Sequence, residues 1–263
     1  MKKIYYLLRI TFITKFAYIK AFWFNLFGTI VSILIYYFLW KSVFLSRNEL
    51  KGFTMAEMTT YVILSRILSS QFSGGINREL SEWIYKGNII IELLRPINLI
   101  TTLLSKRIGE FLFFLIFKGV PAGALGIFIL NGVLPLDPIK FILFFLSIII
   151  SIGILFWIEV MVGLISLFTL NSYGVSSTKN ALLSILSGGV IPLFLFPEKI
   201  SVFLNYLPFA GMVSIPINIY LGKYNLIQSL KYIGLQVIWA FLLGILTVIL
   251  YNSVIKKVVV QGG

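Results

Sequence analysis

The sequence contains no cysteine and no histidine in 263 residues, and it sets only 9 acidic residues against 22 basic ones. Without thiols or imidazoles there is no disulfide framework, no thiol nucleophile, no imidazole base and almost no route to a zinc or haem site. The few carboxylates are scattered, so they do not form the paired acid and base of a hydrolytic centre. Charged side chains make up only 12% of the chain, about half the share of a soluble domain. Hydrophobic residues make up 59%, with a mean hydropathy of +1.00. Water is not the main solvent of such a chain.

What is present is length without charge. Apolar runs reach about 20 residues, enough to cross roughly 30 Å of hydrocarbon. The chain therefore reads as an all-α integral membrane protein of about six transmembrane helices in one domain. The spans fall at about 21–40, 55–72, 108–130, 141–170, 181–196 and 227–255. Span two carries Arg66 and several hydroxyls, so it faces protein or water instead of lipid. Span four is longer than a bilayer needs. Span five contains Gly188, Gly189 and Pro192, which predicts a bent helix. The stretch 197–226, interrupted by Pro208 and Pro216, is too broken for a straight span and reads as re-entrant or interfacial. No loop is long enough for a soluble domain, and no internal repeat is visible.

Residues 1–20 are basic and apolar by turns. On a helix, Tyr5, Leu8, Phe12, Phe16 and Ile19 form one stripe with Lys2, Arg9 and Lys20 on its flank, which suits an N-terminal amphipathic helix lying in the membrane interface. A basic leader running into the first span fits equally well, and no cleaved signal is read there.

The net charge of +13 is spread between the apolar runs and not gathered into a patch with interleaved aromatics, which argues for membrane topology and against nucleic acid. With both termini cytoplasmic, the inner set is Lys2, Lys3, Arg9, Lys15, Lys20, Arg78, Lys86, Arg95, Lys106, Arg107, Lys179, Lys256 and Lys257. It outnumbers the outer set by about two to one, the bias that insertion into a cell membrane imposes.

Between spans two and three, the polar stretch from Gly74 to Pro96 has a helical pattern. Ile76, Leu80, Trp83 and Ile84 share a face, Arg78, Glu79, Glu82 and Lys86 take the others, and Gly87 follows as a C-cap. Such a helix needs an apolar surface, which could be headgroups, a neighbouring helix or a partner protein.

The stretch Lys86-Gly-Asn-Ile-Ile-Ile-Glu-Leu-Leu-Arg-Pro96 resembles the glycine-to-Leu-Leu-Arg-Pro segment of bacterial ABC type-2 exporter permeases, and the layout of the whole chain is similar to theirs. The resemblance implies a coupling helix between spans two and three. It assigns Glu79, Glu82, Trp83 and Lys86, with Glu92 and Arg95 beyond them, to contact with cytosolic ABC ATPase subunits. It also implies a second permease chain, as a homodimer or a heterodimer, and outward transport. The sequence has no G-x-x-x-x-G-K-[ST] phosphate loop, so ATP and Mg²⁺ are expected on the partner and none on this chain, which is not itself an enzyme.

Within the spans, Arg66 lies about 15 Å deep at 1.5 Å per residue. With Ser69 nearby it is a candidate for meeting an anionic or polar substrate group along the pathway; the alternative is a structural charge paired with Glu110, Glu159 or backbone carbonyls. Ser184 and Ser187 on span five either line the pathway or permit close helix packing. Lys118 and Glu159 are further charges in spans three and four, at depths that make a direct pair doubtful. A stand-alone ion-coupled carrier or channel would need its driving force from these few groups. A membrane-embedded enzyme would need a constellation that the sequence does not supply.

Overall fold

A computed structural model describes residues 2–73, 75–135, 137–166 and 172–261. Gly74, the expected last turn of span four at 167–170, and the side chains of Lys2, Lys3, Tyr5, Lys256 and Lys257 lie outside what is described. The fold is predominantly helical, and among the described residues 4 helical stretches are long and apolar enough to cross a membrane: Ile19–Phe44, Leu99–Ile129, Pro138–Ile165 and Leu226–Ile255.

α1 (Lys2–Ala17) is separated from α2 (Ile19–Phe44) by a break at Tyr18, φ −106° and ψ 34°. α1 is thus a helix in its own right. It lies along α6 (Leu99–Phe114), where Phe16 meets Phe113 edge-to-face with ring centroids 5.3 Å apart. A two-stranded hairpin, β1 (Glu49–Leu50) and β2 (Phe53–Thr54), follows α2 and leads into α3 (Met55–Ser69). Thr54 and Glu57 form a capping box there, each side chain accepting the other's backbone N–H, which satisfies donors that the first turn leaves free.

α4 (Ile76–Tyr85) and α5 (Ile89–Leu94) occupy the loop where a cytoplasmic helix is expected. Gly87 follows α4 with φ +71°, the left-handed conformation that ends helices without a Cβ clash. The third expected span, 108–130, begins earlier than hydropathy suggests. Asn98 caps α6 by accepting the Ile100 N–H, and the helix runs on through a π turn at Leu115–Gly119 into α7 (Val120–Ile129). Pro121 lacks an N–H, so it cannot close the normal ladder, and the ladder is displaced just before it.

α8 (Pro138–Ile165) starts at Asp137, whose side chain accepts the Ile139 N–H, with Pro138 in the first turn. It is the central helix. α12 (Leu226–Gln261), α4 and α11 (Ser214–Tyr220) all pack against it. The expected span at 181–196 is not one bent helix: α9 (Ser172–Leu186) ends where Gly188 takes φ +82°, and after Pro192 the chain resumes only as a 3-10 turn at Leu193–Leu195. α3 and α9 each have 15 residues, about 22 Å at 1.5 Å per residue, short of a full crossing. The broken stretch 197–226 resolves into α10 (Glu198–Tyr206), with one face exposed, a second 3-10 turn, and α11, every residue of which is buried. Gln236 on α12 fixes this region to α8: its amide donates to Gly211 O at 2.6 Å and accepts from Ser147 Oγ at 2.9 Å.

Candidate functional site

Three features on the α4 side of the molecule carry chemistry: the rooted helix α4, a buried charge network beneath it, and two polar cavities beside α2.

α4 sits on α8 because Gly163 lets it. A Cβ at Gly163 would meet Leu80 Cδ2 at 2.8 Å and Leu80 Cβ at 3.0 Å, so any larger residue would push the two helices apart. Ile76 and Leu80 sink into a small core with Leu103, Phe156, Val160 and Leu164. Glu79 pairs with Lys106 on α6, and the same ammonium lies 4.6 Å from the centroid of the Trp83 ring. Of the four coupling residues expected on α4, Glu79 and Trp83 therefore lean on α6, whereas Glu82 and Lys86 are exposed and pair loosely with each other at 3.8 Å. Glu92 is buried and holds the exposed Arg95 at 2.8 Å. Two further residues complete the bare surface: Tyr85 and Leu94, 84% and 80% exposed. Leu94 belongs to the Leu-Leu-Arg-Pro string that carries the resemblance, although no contact role was assigned to it, and sequence reasoning passed over Tyr85.

Beneath α4, charges counted as cytoplasmic loop residues prove to be buried. Arg107 and Lys179 stand 3.7 Å and 3.6 Å from the carboxylate of Glu159, itself fully buried. Arg107 also approaches Glu110 at 3.8 Å, and Glu110 takes Lys15 of α1 at 2.6 Å. The network reaches α4 and the end of α3. Lys179 Nζ donates to Phe72 O at 2.9 Å and to Asn77 Oδ1 at 3.2 Å, and Asn77 donates onward to Ser176 at 2.6 Å. Arg107 Nη2 donates to Gln71 O at 3.4 Å. Five helices and the α3 terminus thus meet at one cluster, where buried charges hold one another against the cost of leaving water. Glu110 and Glu159 pair with these groups and not with Arg66, so the structural alternative for Arg66 loses its carboxylate partners.

Arg66 instead lies over the Tyr36 ring, 4.2 Å from its centroid. Its Nε and Nη2, and Ser69 Oγ, are buried without a hydrogen-bond partner among the described residues. Arg66, Ser69 and Ser184 line one open cavity of about 420 Å³ with Asn25, Thr29 and Ser32. Ser187 does not reach it: it is buried at the end of α9, where its Oγ accepts the Gly189 N–H and its carbonyl accepts Ser214 N–H. The α2 contribution was not foreseen, although Asn25, Thr29, Ser32 and Tyr36 recur at the spacing of one helical face. A second cavity of about 380 Å³, nearer the α1 end, is lined by Lys15, Arg107, Glu110 and Lys118 together with aromatic rings, and Asn25 and Ser70 border both.

The profile of the ABC-2 family transporter proteins matches residues 30–262. The chain belongs to the ABC-2 transporter family. It is a membrane permease subunit of an ABC transporter, and permeases of this family associate with an ABC ATPase and are not themselves catalytic. No curated protein matches this ABC-2 permease at a significant level.

Proposed function

We propose that this permease forms half of the translocation pathway of an ATP-driven exporter in the cell membrane, paired with a second permease chain and driven by a separate cytosolic ATPase that binds ATP and Mg²⁺. On this reading both termini are cytoplasmic. The shorter helices α3 and α9 complete six crossings inside the bundle, where their buried polar faces meet protein. α4 and α5 form the surface on which the ATPase bears, through Glu82, Lys86 and Arg95, with Glu79, Trp83 and Glu92 holding that surface to the membrane domain.

One observation carries the reading. α4 is embedded in α6 and α8 on its inner face, bare on its outer face, and joined through Asn77 to the cluster that also holds the end of α3. A push on the bare face reaches α3 and hence Arg66, Ser69 and the polar wall of the pathway.

Purification of the tagged chain from its native host in mild detergent, with mass spectrometry of what is retained, tests this. A stoichiometric ATPase bearing the phosphate loop should co-purify, and Glu82→Lys with Tyr85→Glu should release it without unfolding the permease. Trp83→Glu should release it while also destabilising the permease. Recovery of the permease alone at full yield from several detergents would sink the proposal.

A further inference from the structure

The two polar cavities share Asn25 and Ser70, so they form one track along α2. Its charge is unbalanced. In the lower part, the single acid Glu110 is already engaged by Lys15 at 2.6 Å and Arg107 at 3.8 Å. Lys118 is buried in the π turn, where among the described residues its hydrogen-bond partner is the amide oxygen of Asn25, at 3.4 Å. In the upper part, Arg66 has the Tyr36 ring and two guanidinium nitrogens, Nε and Nη2, with no hydrogen-bond partner among the described residues. Among the described residues no carboxylate lies within 4.0 Å of Lys118 or Arg66. Unpaired cations inside an apolar bundle are expensive and mark the route of a counter-charge.

We propose that this track binds an amphiphile with a phosphate or carboxylate headgroup, with Lys118 in the lower part and Arg66 in the upper part as the cations that draw the headgroup in, and its apolar tail left in the surrounding lipid. The proposal deepens the permease reading and rests on it for the role of the track as a pathway. Arg66 Nε, Arg66 Nη2, Ser69 Oγ and the Lys118 ammonium are donors, suited to anionic oxygens. Among the described residues the upper cavity has no acidic lining residue to receive a cation. Aromatic rings form much of the lower cavity's wall: Tyr18, Phe22, Phe113 and Phe114 line it, and Phe16 and Trp23 on the adjoining helices are exposed. A small hydrophilic anion would gain the charges but nothing from this wall, whereas an amphiphile gains both.

The test is a titration of the full chain, in phosphatidylcholine nanodiscs, with dodecyl phosphate below its micellar concentration. Saturable binding is expected, weakened tenfold or more by Lys118→Gln and by Arg66→Gln. Lys118→Arg and Arg66→Lys should retain most of it, and Lys41→Gln, outside the track, should change nothing. Size-exclusion profiles matching the parent chain show that the variants fold. Equal binding of dodecyltrimethylammonium, equal binding of inorganic phosphate, or indifference to both glutamine variants would each overturn the proposal. Discs containing phosphatidylglycerol separate the two sources of the headgroup: competition identifies a bilayer lipid as occupant, and persistence identifies a free amphiphile, the cargo class. Because no ATPase is needed for this readout, a negative result here leaves ATPase association standing, and failure of that association leaves this binding measurable.

Discussion

Glu159 shows how much one side chain can hold. It is fully buried between Arg107 and Lys179, with Glu110 and Lys15 one step further along the same network. Removing one member of a buried ionic cluster strands the others, at a cost of about 3–5 kcal/mol. Glu159→Leu should therefore lower the melting temperature in detergent sharply, and the double substitution Glu159→Leu with Lys179→Leu should recover part of the loss. An unchanged melting temperature for the single variant would show that the cluster contributes nothing to stability. The network was not legible from the sequence for a physical reason. Arg107 and Lys179 stand at the edges of apolar runs, where hydropathy places loops, but α6 begins at Leu99 and α9 at Ser172. Both residues thus fall inside helices, and their partner comes from α8. Glu159 lies 52 positions from Arg107 and 20 from Lys179, on another helix in each case, and pairing at such separations leaves no local trace. The Arg66 constellation was more accessible, since Arg66 and Ser69 are neighbours on one helix and Ser184 was already a candidate. What hydropathy averaging concealed was the polar face of α2, four side chains diluted in a strongly apolar helix.

At the scale of elements, the best-read feature is α4. The recurrence of Ile76, Leu80 and Ile84 at helical spacing predicts a helix with one apolar side, and the structure buries Ile76 and Leu80 and partly buries Ile84. What the pattern leaves open is the surface that receives it, which is α8 at Gly163. That contact makes a prediction. Gly163→Ala introduces a Cβ at 3.0 Å or less from Leu80 and should cost about 1–3 kcal/mol by overpacking. Leu80→Ala in the same chain should then be less harmful than it is alone, because the added methyl fills the space it leaves. Denaturant unfolding of the two single variants and the double variant measures the coupling; strictly additive losses would show that the two residues do not meet. The elements that sequence reading placed least well are α9 and the stretch after it, where backbone conformation at Gly188 and Pro192 breaks a run that hydropathy treats as continuous.

At the scale of the whole molecule, the absence of cysteine becomes an advantage, because any introduced thiol is the only one present. The proposed topology places the α2–α3 hairpin outside and α4 inside. Arg47→Cys should react with a membrane-impermeant maleimide on intact cells and Arg78→Cys should not; in inside-out vesicles the order should reverse. Labelling of both from the same side would overturn the assignment of the termini. The end of the molecule that carries the β1–β2 hairpin has its own fastening, distinct from the charge cluster near α4. Lys51 reaches the carbonyls of Phe194, Leu195 and Phe196 at 3.0–3.3 Å, Lys223 pairs with Glu57 at 2.7 Å, and Phe53 stacks on Phe194 with ring centroids 3.9 Å apart. The two ends of α3 are therefore held by different means, carbonyl capping and stacking at one end and buried charge at the other.

The π turn at Leu115–Gly119 gives the long helix through α6 and α7 a property that a regular helix would not have. One residue more than an α-helical turn is stored there, directly at Lys118 and just ahead of Pro121. Ironing it out would turn everything above it by about 100° relative to everything below, one residue's worth of rotation at 3.6 residues per turn. The helix thus contains a built-in cam: a slip of one position, with no change in length elsewhere and no unfolding, would swing the lysine away from Asn25 and alter which side chains face the track.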